Sequence, residues 1–410
     1  MKRYVIVGAG SRAFSMFLEG LKEKCGKNLE ITGVYDVNRV RSEFYKKNLD
    51  TLTVYTDFDE MIRCEKPDAV IVGTVDSKHK EYVVRSLELG CDVVCEKPLC
   101  NTYEDCLEIM ETERRTGKKV TVTFNCRFMP YFAKLKELVM SGAIGKVHAI
   151  SYNYTLNRWH GGDYFKRWHG KMDISKGMLL HKSTHHFDVM NWVLDDLPEK
   201  VSAMGLQSFY AKPEKAFGER CRDCKMAEKC ESYRSQSARL DEELYFKAEH
   251  EDGYIRDKCA YLPDSDINDN MSVTVMYRRG TILTYTLNLF SMREGYTMTL
   301  TGDKGNIIVS TYKSDYGNGE NSAIQLMTKE NEVTLIPVDT VSGAHGGGDV
   351  LLRDMIFGDV KADPLGQCAD SFAGVASAMI GIAANESIAE GKIVDLTERL
   401  EKLHGQRRPL

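Results

Sequence analysis

The sequence lacks an excess of basic residues, since its 55 lysines and arginines are outnumbered by 60 acidic residues and the formal net charge is −5. A chain with this balance has no long-range attraction to nucleic acid or to an anionic membrane surface, so we expect neither as a partner. It also lacks an apolar run of membrane-spanning length and, after Met1-Lys2-Arg3, the apolar stretch of a signal peptide. We therefore expect a cytoplasmic protein.

Internal repeats and low-complexity segments are absent as well, and the composition of 42% hydrophobic and 28% charged residues is typical of a globular protein. A chain of 410 residues exceeds what one hydrophobic core usually supports, which favours two domains. Of the twelve cysteines, eight are scattered through predicted strands and helices. In a reducing compartment such cysteines act as small buried hydrophobic residues.

The N-terminal segment has the pattern of a dinucleotide-binding turn. A short strand, Tyr4 to Val7, is followed by Gly8-Ala9-Gly10-Ser11-Arg12 and then by a helical pattern of apolar residues. Gly8 allows the tight turn, Gly10 lets the backbone approach a pyrophosphate, and the amides at the helix start, at Ser11 and Arg12, bind its oxygens.

The second strand predicts which nicotinamide dinucleotide binds. It ends at Asp36, about 20 residues beyond the turn, where a carboxylate is expected to bind the ribose hydroxyls of NAD. Arg39 and Arg41 lie close by and are able to meet the 2′-phosphate of NADP. On the carboxylate rule we expect NAD, with NADP as the less favoured cofactor.

Strands and helices then alternate at short spacing, which predicts βαβ units and a parallel sheet. Polar residues follow three of the strands, and the carboxyl edge of such a sheet is where ligands bind. We assign Thr74, Asp76, His79, Glu96, Lys97 and Asn125 to the cofactor edge. Lys97, in the sequence Glu96-Lys97-Pro98, is the predicted meeting point of cofactor and substrate.

Several of these motifs together resemble a known family. Gly8-Ala9-Gly10, Asp36, the turn 74–79, Glu96-Lys97-Pro98 and the later turn 142–145 are similar to the glucose-fructose oxidoreductase, inositol dehydrogenase and MocA superfamily (Gfo/Idh/MocA). The resemblance implies an α/β fold with a Rossmann-type parallel sheet in residues 1–125. It also implies a C-terminal α+β domain with a large, mostly antiparallel sheet in residues 126–410.

The resemblance further implies roles for individual residues. The lysine that matches Lys97 contacts the substrate beside the nicotinamide, and the residues that match Thr74, His79, Glu96 and Asn125 line the cofactor. For His79, a purely structural role at a helix start remains the alternative.

A segment rich in aromatic and basic residues is the candidate substrate site. Aromatic faces and a few polar groups bind small molecules such as sugars and polyols, and the glycines at 161 and 162 let the chain bend here. The candidates are His160, Tyr164, Arg167, Trp168 and His169, together with Arg127, which follows the predicted strand at 120–124, and Asp188. A surface loop around a buried tryptophan is the alternative interpretation.

The histidines at 181 and 185 are the candidate acid and base. At helical spacing His181, His185 and Asp188 are expected to share one face, and the positive end of a helix dipole would keep the imidazoles neutral. By the resemblance, His185 is the catalytic histidine and an aspartate lies four residues earlier. His181 occupies that position here, so the family's carboxylate is missing. Zinc binding at i and i+4 and a structural role stay open for both histidines.

Four further cysteines lie together in a polar segment, residues 208–265, which we call the cysteine insertion. Their clustering suggests a metal site that stabilises a segment with little core of its own. The ligands would be Cys221, Cys224, Cys230 and Cys259, holding structural zinc or an iron–sulfur cluster. Free thiols or an isolated disulfide are the alternatives.

Together these features predict an NAD(P)-dependent oxidoreductase that moves hydride between the nicotinamide and a hydroxyl carbon of a sugar, polyol or sugar derivative. His185 would take the proton while Lys97 orients the oxygen. The alternative activity is an NAD-dependent glycoside hydrolase that uses transient oxidation and elimination, and a non-catalytic NAD sensor is the third hypothesis. We expect a homodimer or homotetramer.

Overall fold

The computed structural model describes residues 1–233, 239–312, 323–330, 332–339, 341–358, 360 and 362–406. These residues form two β-sheets with helices packed against them. The first sheet is parallel in its N-terminal strands and the second is mostly antiparallel, which confirms the predicted α/β fold.

In the described residues the first sheet has seven strands in the order β15-β6-β5-β4-β1-β2-β3. Their bounds are Lys2–Val7 (β1), Leu29–Tyr35 (β2), Thr53–Tyr55 (β3), Ala69–Val72 (β4), Asp92–Cys95 (β5), Val120–Val122 (β6) and Ala369–Asp370 (β15). The first six are parallel, and β15 pairs antiparallel to β6. A short strand from the C-terminal part of the chain thus completes the N-terminal sheet.

Apolar residues cover both faces of this sheet, as expected for a parallel sheet between helices. In β1, Val5 and Val7 pack on one face, while Tyr4 and Ile6 pack on the other. The accompanying helices are Ser11–Ala13 (α1), Arg39–Asn48 (α2), Phe58–Glu65 (α3), His79–Glu88 (α4) and Tyr103–Thr116 (α5). The α1 helix continues as a π-helix over Phe14–Glu19.

The second sheet has nine described strands in the order β14-β13-β12-β11-β7-β10-β9-β8-β16. Their bounds are Val147–Asn157 (β7), Pro198–Leu206 (β8), Asn270–Tyr277 (β9), Ile282–Ser291 (β10), Gly295–Gly302 (β11), Asn306–Ser310 (β12), Ala323–Lys329 (β13), Glu332–Pro337 (β14) and Val394–Asp395 (β16). The β7 and β10 strands run parallel, and the other pairs are antiparallel.

The rest of the described chain contributes ten further α-helices. They are Pro130–Met140 (α6), Arg158–Phe165 (α7), Met172–Ser175 (α8), Met178–His181 (α9), Thr184–Leu194 (α10), Arg239–Asp241 (α11), Glu249–Asp252 (α12), Gly348–Phe357 (α13), Ser371–Glu390 (α14) and Thr397–Gly405 (α15). By length and composition α14 would be able to cross a membrane, but 72% of its apolar window is buried inside the protein. It packs as a core helix.

The histidine segment is broken into two helices. The amides of Lys182 and Ser183 both donate to the carbonyl of Met178, which interrupts the helical ladder between α9 and α10. The prediction that His181 shares a helix face with His185 is therefore wrong. Ser183 occupies the N-cap position of α10, but its hydroxyl bonds to Tyr285 instead of capping the helix.

A buried ion pair joins α10 to the turn after β6. The guanidinium of Arg127 donates to both carboxylate oxygens of Asp188, at 2.7 and 2.6 Å, and to the carbonyl of Gly366 at 3.1 Å. The Arg127 and Asp188 side chains are only 7% and 1% exposed. Because neither charge reaches water, each depends on the other for its stability in the interior.

We expect Arg127→Leu to lower the free energy of unfolding by about 3–5 kcal/mol, because the substitution leaves the Asp188 carboxylate buried without its partner. Urea unfolding followed by circular dichroism measures this loss. The matched control is Arg115→Leu, which removes a 61% exposed guanidinium beside Glu88 and should cost about 0–1 kcal/mol. Equal losses for the two variants would contradict the prediction.

Candidate active site

The glycine turn lies where β1 and β4 come closest. Gly8 has a φ of +91°, and a Cβ added there would lie 2.6 Å from the carbonyl carbon of Gly73 and the amide nitrogen of Thr74. Only glycine fits both the backbone angle and this contact. The turn therefore packs directly on the end of β4, at the carboxyl edge of the sheet.

Asp36 lies at the end of β2, beside the turn. Its carboxylate accepts from the amide of Ala9 at 2.6 Å and from the amide of Asn38 at 2.7 Å. Burial raises the pKa of Asp36, and the nearby positive charge of Arg41 opposes that rise. The carboxylate is thus held in place against the turn, as a ribose-binding carboxylate would be.

These residues fit a bound dinucleotide. The open turn at Gly8 and Gly10, the Ser11 amide at the helix start and the carboxylate of Asp36 are the groups that the chemistry of the ligand requires. One contact was not anticipated, since the hydroxyl of Tyr245, from the cysteine insertion, accepts from the Ser11 amide at 2.9 Å.

An ion-pair network lies beside the turn. Arg12 donates to Glu96 at 2.9 Å and to Asp349 at 2.7 Å, and Asn125 donates to Asp349 at 2.6 Å. Asp349, which the prediction missed, thus joins Arg12 to Asn125, and Arg12 extends the network to Glu96. The signal was the sequence His345-Gly-Gly-Gly-Asp349 at the start of α13, and the Asp349 carboxylate also bonds to His345 at 3.0 Å.

His79 is buried and contacts two of the turns at the cofactor edge. Its two ring nitrogens lie 2.6 Å from the carbonyl of Pro98 and 3.2 Å from the carbonyl of Thr74. The imidazole therefore ties the turn after β4 to the Glu96-Lys97-Pro98 turn after β5. Burial lowers the pKa of His79, while the two carbonyls favour its protonated form.

Lys97, Asp76 and His181 form the chemical centre. The amine of Lys97 donates to the carbonyl of His181 at 3.0 Å, and Nδ1 of His181 lies 2.6 Å from the Asp76 carboxylate. Asp76 was predicted to bind the cofactor, and the structure pairs it with His181. The family resemblance predicts an aspartate at position 181, where this chain has a histidine. Here a carboxylate instead contacts His181 itself, and it comes from Asp76, in the turn after β4.

Burial controls the charges at this centre. Burial raises the pKa of Asp76 well above its usual value and lowers the pKa of His181 well below its usual value. The positive charge of Lys97 lowers the pKa of both groups. Burial also lowers the pKa of Lys97, against the attraction of Asp76. The imidazole is thus kept neutral and able to accept a proton.

His185 is buried on the first turn of α10, where its ring meets Phe124 edge to face at 6.0 Å. Burial, followed by the charges of Lys97 and Lys182, lowers the pKa of His185 well below its ordinary value. Burial is the largest of these causes. Among the described side chains, none hydrogen-bonds to its Nδ1.

Three of the seven predicted substrate residues gather beside His181. The ring of His169 stacks on the ring of Trp168, with 3.6 Å between their centroids. The centroid of the His181 ring lies 4.4 Å from that of His169 and 5.7 Å from that of Tyr164. Nδ1 of His169 is buried and has no partner within the described part of the chain. Such an atom marks a place where a polar ligand would bind.

The remaining predicted substrate residues have protein partners. His160 stacks on Tyr164 and bonds to Glu294 at 2.8 Å, and Arg167 pairs with Asp163 at 2.7 Å. Arg127 and Asp188 bond to each other in the interior, as described above. These four residues therefore frame the pocket or the core, while Tyr164, Trp168 and His169 lie next to the chemical centre.

The four clustered cysteines converge. Cys221, Cys224, Cys230 and Cys259 line one small cavity of about 20 Å³, and the ammonium of Lys166 lies 3.4 Å from the Cys221 sulfur. Burial and the other three thiols raise the pKa of Cys259. All twelve cysteines lie in the described part of the chain and are free thiols. Among the described residues, no group of three or more His, Cys, Asp or Glu side chains is placed so that it could hold a metal ion.

We expect Lys97→Met to raise the pKa of both His181 and His185, because the substitution removes the positive charge that disfavours their protonation. NMR titration of protein with 15N-labelled histidine measures both values. Lys80→Met, which removes a surface lysine paired with Glu108, is the control and should leave them unchanged. Unchanged values in Lys97→Met would show that the amine does not face these imidazoles.

Comparison with known proteins identifies the family of this chain. Residues 2–124 match a family model described as an oxidoreductase family with an NAD-binding Rossmann fold, and residues 136–396 match the C-terminal alpha/beta domain of the same family. YteT of Bacillus subtilis, an oxidoreductase by name, is 35% identical over an alignment of 431 positions, which covers 97% of this chain and 98% of YteT.

More distant relatives share the domain or the fold. Inositol 2-dehydrogenase 3 of Saccharopolyspora erythraea is 33% identical over 178 residues, which cover 42% of this chain and 48% of that protein. The WlbA dehydrogenase of Bordetella pertussis, solved with NADH and UDP-GlcNAcA, aligns with a TM-score of 0.66 at 16% identity, covering 96% of this chain and 98% of WlbA. The chain belongs to the Gfo/Idh/MocA family of NAD-binding oxidoreductases.

Proposed function

We propose that this protein transfers hydride between NAD and a hydroxyl carbon of a sugar, polyol or sugar derivative. The observation that carries the proposal is the convergence of Lys97, Asp76 and His181 at the carboxyl edge of the Rossmann sheet. The aromatic and imidazole groups of Tyr164, Trp168 and His169 lie beside this centre and suit a small polyhydroxylated molecule. The named activity of the inositol dehydrogenase relative supports the same substrate class.

In this proposal His181 is the group that exchanges the hydroxyl proton. Asp76 holds Nδ1 of the ring, which fixes its orientation and leaves Nε2 for the substrate. The ammonium of Lys97 orients the substrate oxygen and stabilises negative charge on it. His185, which the family resemblance favoured as the base, has no orienting carboxylate among the described residues and binds substrate beside His181. Bound NAD supplies the hydride acceptor.

We further propose that NAD is preferred over NADP. A 2′-phosphate needs a free arginine, and the guanidinium of Arg41 is already bound by Asp252 at 2.8 Å and by the carbonyl of Leu244 at 2.9 Å. Arg39 points to solvent, with a side chain 69% exposed. The buried carboxylate of Asp36 would repel a phosphate at this position.

Redox-assisted glycoside cleavage is the second candidate. It needs more proton transfers than a simple oxidation, because a proton next to the transient carbonyl has to leave and the aglycone has to be protonated. The rings of His169 and His181 are adjacent, with 4.4 Å between their centroids. Together with His185, these imidazoles provide more than one group for the proton transfers.

An assay with NAD and a panel of free sugars, polyols and nitrophenyl glycosides separates the candidates. Accumulation of NADH identifies the dehydrogenase, whereas nitrophenol release without net NADH identifies the glycosidase. We expect NADH accumulation, and we expect His181→Phe to lower the rate roughly 10²- to 10⁴-fold, as for loss of a general base. Tight NAD binding without turnover of any member would favour the sensor hypothesis and contradict the proposal.

We also propose that Cys221, Cys224, Cys230 and Cys259 bind one thiophilic metal centre, either a zinc ion or an iron–sulfur cluster. Their convergence on one cavity supports this, because four thiolates are a common ligand set for zinc and for iron–sulfur clusters. The cysteine insertion has few core residues of its own, so a metal would contribute directly to its stability.

We expect protein purified without oxygen to contain either one zinc per chain or iron together with acid-labile sulfide, and elemental analysis with a sulfide assay distinguishes the two. Cys230→Ser should lose the metal. Cys64→Ser, which alters an exposed thiol elsewhere, should retain it. Metal-free wild-type protein whose four thiols all react with a thiol reagent would contradict the site.

The outward face of the second sheet is our candidate for self-association. Met204 and Leu206 on β8 are 78% and 62% exposed, and Ile282 on β10 is 47% exposed. Exposed apolar side chains on a wide sheet favour pairing with a second copy of the chain. We infer a homodimer or homotetramer built on this face.

A further inference from the structure

Part of the cysteine insertion packs on the nucleotide-binding turn instead of on the second sheet. Residues 239–252, which we call the strap, run through α11, a π-helix over Glu242–Phe246 and α12. Leu244 of the strap is fully buried in the same apolar cluster as Phe14 and Phe44 of the Rossmann domain. The strap is thus anchored to the first domain.

The tip of the strap reaches the turn itself. The hydroxyl of Tyr245 accepts from the amide of Ser11 at 2.9 Å and donates to the Ser11 hydroxyl at 3.0 Å. It also lies 3.6 Å from the position that a Cβ on Gly10 would occupy. The hydroxyl therefore covers the side of the turn that glycine leaves open.

Further contacts hold the strap along the ribose-binding edge. The Asn38 amide group donates to the carbonyl of Ala248 at 2.9 Å, and the backbone amide of Arg39 donates to Glu251 at 2.6 Å. The guanidinium of Arg41 lies 5.5 Å from the ring of Tyr245 and pairs with Asp252. Tyr245 is thus held at a defined place, rather than being one rotamer of an exposed side chain.

A pyrophosphate in this fold accepts from the amides at the start of the first helix, of which the Ser11 amide is one. A single N–H makes one strong hydrogen bond, so the phenol oxygen and a phosphate oxygen compete for it. We propose that the strap is an autoinhibitory contact, in which Tyr245 occupies the pyrophosphate position and must leave Ser11 when the dinucleotide binds. This inference rests on the proposed NAD-dependent function.

The proposal predicts that removing the Tyr245 hydroxyl increases the affinity for the dinucleotide. Tyr245→Phe keeps the ring and removes the competing oxygen, which leaves the Ser11 amide without an acceptor in the free protein. We expect the variant to bind NAD and ADP-ribose roughly 2- to 10-fold more tightly, the effect of one neutral hydrogen bond. Adenosine has no pyrophosphate, so its affinity should not change.

Isothermal titration of wild type, Tyr245→Phe and the control Tyr254→Phe tests this. Tyr254 also packs on Arg41, at 5.7 Å, and loses the same atom in its variant, so it should bind NAD like wild type. Unchanged or weaker binding of NAD and ADP-ribose by Tyr245→Phe would overturn the autoinhibitory contact. If even wild type binds no NAD, the proposed function fails instead.

Limited proteolysis of the wild-type protein gives an independent readout. Displacement of Tyr245 should loosen the strap, so trypsin should cut after Arg239 and Lys247 faster when ADP-ribose is saturating than with adenosine or without ligand. Protection of these sites by ADP-ribose would mean that the strap closes on the ligand, which overturns the proposal.

Discussion

The burial of Asp76 and His181 beside the half-buried Lys97 is the constraint on which the rest of the site depends. A carboxylate and an imidazole that are removed from water are stable only when they neutralise or bond a neighbouring group. The 2.6 Å contact between Asp76 and His181 and the bond from Lys97 to the His181 backbone satisfy that requirement. The same burial lowers the pKa of His181 and leaves its imidazole neutral. Burial therefore accounts both for the contacts that fix the ring and for its ability to accept a proton.

The parallel sheet brings these groups together. Because β1, β4 and β5 run in the same direction, the glycine turn, Asp76 and Lys97 all emerge at one edge. Gly8 allows β1 to end within contact of Gly73. The bonds from His79 to the turns after β4 and β5 then fix the separation of Asp76 and Lys97. Local sequence determines each turn, and the sheet determines how the turns meet.

The elements of the fold and the cofactor edge were predictable because their signals are local. The glycine turn, Asp36 and Glu96-Lys97-Pro98 each lie within a few residues of a strand end. The pairing of Asp76 with His181 was not predictable, since 105 positions separate them and their contact arises from the docking of α9 on the first sheet. Arg127 and Asp188 illustrate the same limit, because each looks like a polar ligand-binding residue until the fold shows that they neutralise each other.

The cysteine insertion contributes side chains to two different places in the fold. Its four thiols line one cavity together with Lys166, while its strap packs on α2 and the glycine turn of the first sheet. Arg256, also from the insertion, joins the strap to α7, since it pairs with Asp163 at 3.1 Å and its guanidinium lies 5.4 Å from the ring of Tyr245. Asp163 in turn pairs with Arg167, which frames the substrate pocket. The insertion therefore contacts the nucleotide edge and the frame of the pocket through one chain of neighbouring side chains.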